Sequence, residues 1–136
     1  MKLNEEQQQT LRAAIDRIIP PDDYAGAWDA GVADYLVRQF EGDLSPLVDL
    51  YLAGLTSLDD EANTRYRKTF AKLSDVEKDF LLSQVEQGEV LTNWTISPQR
   101  FFILLVETTV EGFYSDPEQG GNRGRLSWVM TGFESA

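Results

Sequence analysis

The sequence contains no cysteine and no histidine among its 136 residues. Disulfide bonds, thiolate nucleophiles, histidine general bases and the usual zinc and haem ligands are therefore excluded from the chemistry of this chain. Carboxylate, tyrosine, lysine and hydroxyl chemistry remain, together with hard cations held by oxygen ligands. The absence of two residue types thus leaves few kinds of catalytic site to consider.

Positive charge is also scarce. The chain has 12 Lys and Arg residues against 23 Asp and Glu residues, which gives a formal net charge of −11. Such a charge repels nucleic acids and anionic lipid surfaces. The longest apolar run, FFILLV at 101–106, is far shorter than the roughly 20 residues that cross a bilayer. We therefore expect no nucleic-acid partner and no direct membrane span.

The first ten residues, MKLNEEQQQT, lack the pattern of an export signal. They contain no apolar segment, no cleavage-site motif and no paired arginines. The first ten residues therefore do not decide the cellular compartment. We expect a periplasmic or membrane-associated complex if an export signal has been removed or a partner carries one, and the cytoplasm otherwise.

Helix start and stop signals predict an all-α bundle of about six helices. Asn4 with Gln7 and Ser74 with Glu77 have the spacing of capping boxes. Serine followed by proline, a cap followed by a first-turn proline, occurs at 45–46 and 97–98. The expected helices are residues 5–19, a second that reaches about Phe40, a third that begins after Ser45, a fourth from about Leu58 to Leu73, a fifth from Ser74 to Gly88, and a sixth of about fourteen residues after Pro98.

Two further structural expectations follow from the spacing of apolar and turn residues. In the fifth helix, Val76, Phe80 and Leu81 are expected to face the core. Between the first two helices, turn chemistry marks a set of structural turn residues. These are Pro20, Asp22, Gly26 and Gly31.

The C-terminal end differs in composition from the rest of the chain. From Gly112 onward it contains five glycines and one proline, yet it also carries several large apolar side chains. Disordered segments are poor in aromatic residues, so an arm of this kind is expected to pack on something. We therefore predict one domain in total, with a helical part at 1–112 and an irregular, glycine-rich C-terminal arm at 113–136 that packs on that part or on a partner.

The sequence offers weak candidates for chemistry. The glycines at 120, 121 and 124 follow a helix C-terminus, whereas a phosphate-binding loop needs them before a helix N-terminus. Glu107 and Glu111 lie four residues apart on one helix face, where they could serve a glycosidase or bind a hard metal, or face solvent or a partner. A stand-alone carboxylate-based or metal-assisted hydrolase and a small-ligand (sugar) binding protein therefore remain alternatives to a non-catalytic binding module.

Four stretches of the sequence together carry a family resemblance. They are IIPPDDYAGAWDAGV at 18–32, YLAGLTSLDDEA at 51–62, FAKLSDVEKDFLL at 70–82 and FFILLVETTVEGFYSDPEQGGNRGRLSWVMTGF at 101–133. They resemble the gluconate 2-dehydrogenase subunit 3 family, the small or gamma subunits of membrane-associated sugar dehydrogenases. Two departures are Ala25 and Gln119, where the family usually has proline and tyrosine.

The resemblance implies a non-catalytic accessory subunit, or a dedicated maturation chaperone, of a flavin-dependent glucose–methanol–choline type sugar or polyol dehydrogenase. It implies no cofactor in this chain, FAD in a large flavoprotein subunit, and haem c in a possible third subunit, a cytochrome c. The arm is expected to bind the flavoprotein. The residues expected to make this contact are Phe113, Tyr114, Asp116, Pro117, Gly120, Gly121, Asn122 and Trp128.

Overall fold

The computed structural model describes residues 3–20 and 45–113, together with five isolated positions: 31, 36, 38, 41 and 42. Within these residues the protein consists of α-helices and short 3₁₀ turns, without strands, so the all-α prediction is confirmed. The four α-helices are α1 (Glu5–Ile18), α2 (Val48–Tyr66), α3 (Asp75–Gln87) and α4 (Pro98–Phe113). No described helix has the length and hydrophobicity needed to cross a membrane.

The helices enclose one apolar core. α3 and α4 share an extensive contact, and α1 packs against each of the other three helices. Leu36 is also fully buried in this core, although it lies between α1 and α2 in the sequence. The side chains that fill the centre include Leu11, Ile15, Tyr51, Leu55, Leu58, Phe70, Leu81, Val85, Phe101, Leu105 and Phe113.

The two predicted capping boxes are confirmed. Asn4 Oδ1 accepts a hydrogen bond from the Gln7 amide at 2.7 Å, and Gln7 Oε1 accepts one from the Asn4 amide at 3.1 Å. The Ser74 amide and side chain make the equivalent pair with Glu77, at 2.9 and 3.2 Å. Each box satisfies two backbone groups that a helix N-terminus would otherwise leave unpaired, and so fixes where α1 and α3 begin.

The predicted boundary between a third and a fourth helix is wrong, because α2 is continuous from Val48 to Tyr66. Leu55 and Leu58 are both fully buried on one face of this helix, so packing holds the intervening turn in helical form. The N-cap of the helix does not lie at Ser45, the position expected. Ser45 opens a 3₁₀ turn, Ser45–Leu47, and the capping position is Leu47, which has no side-chain cap bond.

The predicted extension of that helix to Leu73 is also wrong. α2 ends at Tyr66, and Arg67 adopts a left-handed conformation with φ of 58°. Phe70 instead opens a second 3₁₀ turn, and its amide donates a 2.8 Å hydrogen bond to Asp59 Oδ1. This contact with α2 allows the chain to reverse while Phe70 stays buried in the core.

α3 ends as predicted but faces the core differently. Gly88 terminates the helix with φ of 75°, the left-handed geometry for which glycine is suited. Leu81 is buried as predicted, whereas the expectation that Val76 and Phe80 face inward is wrong, since they are 79% and 49% exposed. The helix buries Leu82 in their place because α1 and α4 pack on the side of α3 that carries Leu81 and Leu82.

The sixth predicted helix is confirmed as α4. It begins at Pro98, and Ser97 Oγ accepts a 3.2 Å hydrogen bond from the Arg100 amide. Most of the predicted second helix lies outside the described residues. The described positions 36, 38 and 41 are helical. The division into a helical part and an arm likewise depends on residues beyond Phe113, which lie outside the described part of the chain.

Candidate functional site

Glu61 is a buried carboxylate that joins α2 to the connection between α3 and α4. Its Oε1 accepts hydrogen bonds from the Leu91 amide at 2.9 Å, from the Thr92 amide at 2.7 Å and from the Thr92 hydroxyl at 2.6 Å. Trp94 Nε1 donates a longer one at 3.3 Å, and Arg65 Nε donates to Oε2 at 2.8 Å. The carboxylate therefore binds three residues of the connection at once, namely Leu91, Thr92 and Trp94.

These donors decide the charge of Glu61. Burial alone raises the pKa of its carboxyl group, but the hydrogen bonds from Thr92, Arg65 and the Leu91 amide outweigh burial and lower the pKa to about 2. A general acid or base works best with a pKa near the working pH and needs room for a substrate proton. An ionised carboxylate surrounded by its own donors has neither property, so Glu61 acts as a structural clamp.

Glu61 was missed by sequence reasoning, although a signal was present. It lies three residues after Leu58 and directly before Ala62, both of which are fully buried. A glutamate at a position where the helical spacing demands an apolar residue is a candidate buried charge, and such charges are almost always paired. The spacing of four residues makes Arg65 the expected ion-pair partner of Glu61. Arg65 Nη2 also donates a hydrogen bond to the Glu89 carbonyl at 2.7 Å.

Tyr51 is the other buried titratable group among the described residues that could carry chemistry. Its ring meets Phe101 edge-on, with centroids 5.9 Å apart and planes 80° apart. Burial raises the pKa of the Tyr51 hydroxyl, while a hydrogen bond with Thr108 has a smaller, opposite effect. The phenol thus stays protonated at neutral pH, enclosed between α2 and α4.

Arg17 links α1 to α3 at the surface. Its Nε and Nη2 donate to the two carboxylate oxygens of Asp79 at 2.8 and 2.9 Å, and its Nη1 lies 3.4 Å from Asp75 Oδ2. The paired Asp79 raises the pKa of Arg17, and Arg17 in turn lowers the pKa of Asp79. The ion pair borders an open groove of about 410 Å³ between α1 and α3, which is lined by Arg12, Arg17 and Lys78 together with Asp16 and Asp75. The cations of this groove therefore have acidic neighbours.

The carboxylate pair considered for hydrolysis lies on the outside of α4. Glu107 and Glu111 are both exposed, in agreement with the expectation of a solvent-facing or partner-facing stripe. Across the part of the chain that the structure describes, no group of three or more acidic residues is placed to hold a metal ion. The described residues thus give no support to a metal-assisted site at this pair.

Beside these glutamates, α4 presents apolar residues outward. Ile103 is 54% exposed and Val110 is 40% exposed, and the half-buried Phe102 and Val106 lie next to them on the same flank. We call these four residues the outer strip of α4. A groove of about 310 Å³ lined by Phe102 and Val106 lies on one side of the strip, and another of about 290 Å³ lined by Ile103 lies on the other.

Most residues predicted to bind a partner lie outside the described part of the chain. Phe113 is described, and it is fully buried at the end of α4. The remaining seven, from Tyr114 to Trp128, fall beyond it, so their contact with a partner stays a prediction. Among the predicted turn residues, Pro20 is exposed just after α1 and Gly31 is buried with φ of 92°. Asp22 and Gly26 fall outside the described residues.

The fold and these surfaces define a small all-α protein with a clamped core and an outward apolar strip. The chain belongs to the family described as gluconate 2-dehydrogenase subunit 3, which it matches over residues 5–134. The match covers nearly the whole sequence and includes both the clamp and the arm. Comparison with curated proteins and with solved structures found no match.

Proposed function

We propose that this chain is a non-catalytic accessory subunit, or a dedicated maturation chaperone, of a flavin-dependent sugar or polyol dehydrogenase of the glucose–methanol–choline type. Membership of a dehydrogenase subunit family carries the proposal. The polar core adds support, because Glu61 and Tyr51, the buried groups with shifted pKa values, are engaged in holding helices together. A substrate would find neither of them accessible.

In this proposal the chemistry belongs to the partner. The flavoprotein large subunit binds FAD and oxidises the sugar or polyol, and a cytochrome c subunit with haem c accepts the electrons. This chain supplies binding surface only. A subunit that binds the folded flavoprotein and not its unfolded form stabilises the fold by mass action, which explains how one small protein could serve as subunit and as chaperone.

The arm is the proposed main contact with the flavoprotein. Tyr114 and Trp128 supply large apolar area, while Asp116 and Asn122 can hydrogen-bond backbone groups in the glycine-rich turns between them. Trp128→Ala and Asp116→Ala are expected to weaken flavoprotein binding more than they lower the melting temperature of the isolated chain. Equal losses of both would make the arm part of the core of the subunit instead.

The direct test is expression of a glucose–methanol–choline type flavoprotein from the same organism, with and without this chain. We expect the soluble yield and the FAD content of the flavoprotein to rise with co-expression, and the isolated chain to show no dehydrogenase activity. A matched control is the chain with Trp128→Ala, which should raise the flavoprotein yield less than the unaltered chain does. An unchanged yield together with the absence of any association would contradict the proposal.

A further inference from the structure

The outer strip adds an apolar flank to a helix that already has a complete core face. Phe102, Val106 and Val110 follow one another at four-residue intervals, and Ile103 lies beside them, so the four side chains form a continuous surface over little more than two turns. The core face of α4 is formed by other residues, namely Phe101, Leu105, Thr108, Thr109, Gly112 and Phe113. Phe102 packs against the edge of the core, whereas Ile103, Val106 and Val110 do not belong to it.

The two grooves that flank the strip give it a shape suited to binding another protein. The groove on one side is lined by Ile18 of α1 and Leu82 of α3, and the groove on the other by Leu47 and Leu50 at the start of α2. Charged side chains also line both grooves, although most of the surface of each is apolar. An apolar ridge between two largely apolar grooves offers the close-fitting, desolvated centre that protein interfaces contain. Exposed apolar residues elsewhere, such as Val76, border neither groove, and isolated residues of that kind are normal on protein surfaces.

We propose that the outer strip of α4 binds the flavoprotein large subunit, through a face of that subunit that is apolar at its centre and carries lysine or arginine at its border. The inference rests on the function proposed above and names the surface that serves it. The border of the strip carries more acidic than basic side chains. Arg17 and Arg100 line the two grooves, against Asp79, Glu86 and Glu107, and Glu111 is exposed one turn after Glu107. Glu107 and Glu111 are both exposed beside the strip, and neither forms an ion pair with another residue in the described ranges.

Charge also argues against a second copy of the chain as the occupant. In a symmetric dimer the same patch meets itself, so both copies of Glu107 and Glu111 would lie at one interface. Each of the two chains would also carry a net charge of −11. Like charges placed opposite each other weaken an interface, whereas a basic border on a different protein would strengthen it.

The position of the arm points to the same partner. α4 ends at Phe113, and the residues proposed to contact the flavoprotein begin with the next residue along the chain. Val110 lies within the last turn of the helix. A flavoprotein held by the arm is therefore brought next to the strip, and the two surfaces together approach the area of about 800 Å² per partner that stable complexes bury more readily than either would alone.

The test uses the full chain and the co-expressed flavoprotein. Ile103→Ser combined with Val110→Ser removes the exposed apolar groups, and we expect the dissociation constant of the complex to rise at least about tenfold. Val76→Ser is the matched control, because it makes the same change at an exposed helical valine on α3, and it should leave the dissociation constant unchanged. Glu107→Lys should also weaken the complex, whereas Asp60→Lys, at an exposed position of α2, should not.

The outcomes distinguish failure of the strip as the interface from failure of the proposed function. If the unaltered chain binds the flavoprotein and the strip variant binds equally well, the strip is not the interface, although the proposed function stands. If the unaltered chain does not bind the flavoprotein at all, both proposals fail. Dimerisation of the isolated chain that disappears in the strip variant would make a second copy the occupant. Changes in the Ile103 and Val110 methyl resonances caused by Trp128→Ala in the isolated chain would make its own arm the occupant, and either finding would overturn the inference.

Discussion

At residue 61 the protein places a full negative charge inside its core, a position that costs several kcal/mol unless donors replace the lost water. Here five donor groups do so, from Arg65, Leu91, Thr92 and Trp94. All except Arg65 belong to the connection between α3 and α4. One side chain of α2 thus determines the path of a segment that lies some thirty residues further along the chain.

Replacing Glu61 should therefore be costly. We expect Glu61→Gln to lower the free energy of unfolding by about 3 kcal/mol at pH 7, because the amide loses the charge and turns two donor hydrogens toward existing donors. Urea unfolding at equilibrium measures the loss. Glu107→Gln makes the same chemical change at an exposed position of α4 and should stay within about 0.5 kcal/mol of the unaltered protein. Equal effects of both variants would show that the clamp contributes nothing.

The same carboxylate predicts a pH dependence. The pKa of Glu61 falls from an ordinary value of 4.5 to about 2 in the folded chain, so its ionisation favours folding. This contribution is complete above about pH 4.5 and is lost as the pH falls toward 2. The difference in unfolding free energy between the unaltered protein and Glu61→Gln should shrink over that interval. A difference that stays constant from pH 7 to pH 2.5 would contradict the proposed cause.

At the scale of helices, α2 and α4 approach each other closely at Gly54. A Cβ atom at this position would overlap the ring of Phe101 on α4. That ring cannot easily move, because it packs edge-on against Tyr51 and its centroid lies 6.1 Å from the centroid of the Trp94 ring. Gly54 lowers the helix propensity of α2, but its missing side chain allows α2 and α4 to pack closely.

Gly54→Ala sets two effects against each other. Alanine gains about 1 kcal/mol of helix propensity, whereas forcing a methyl group into a packed core costs about 1–3 kcal/mol. We expect overpacking to win and the melting temperature to fall. Adding Phe101→Leu to Gly54→Ala should recover part of the loss, which a double-mutant cycle would measure as a favourable coupling. A Gly54→Ala protein more stable than the unaltered chain would show that the ring does yield.

The two left-handed residues give a paired prediction at the helix ends. Gly88 closes α3 and Arg67 follows α2, with φ of 75° and 58°. Gly88→Ala should lower the unfolding free energy by about 1 kcal/mol, because a Cβ atom is strained in this conformation and would also meet the side chain of Gln99. Arg67→Gly relieves the same kind of strain and should change stability in the opposite direction. Thermal unfolding compares both, and changes of equal sign would contradict the argument.

The parts of the fold that could be predicted from the sequence are those set by neighbouring residues. The capping boxes at Asn4 and Ser74 and the terminator at Gly88 each depend on a few adjacent groups. The continuity of α2 could not be predicted in this way, because the burial of Leu55 and Leu58 holds it together against local signals. The outward orientation of Val76 likewise follows from where α1 and α4 pack.

For the whole molecule, composition limited the function more than any local motif did. The absence of histidine and cysteine left few catalytic options, and the net charge of −11 disfavoured polyanionic partners. The family resemblance then pointed to an accessory subunit, and the match over residues 5–134 shows the family. The outer strip of α4 could not be predicted, since a nearly uninterrupted apolar sequence does not show which side chains the core leaves exposed.

The central claim is that this chain works as a stoichiometric companion of a flavoprotein, and native mass spectrometry tests it most directly. The chain and the flavoprotein proposed as its partner are co-expressed, purified through an affinity tag on the chain, and sprayed from a volatile buffer. The account predicts one species whose mass is the sum of whole numbers of both proteins plus the flavin. Detection of only the 15.4 kDa chain, with the flavoprotein soluble and active by itself, would contradict it.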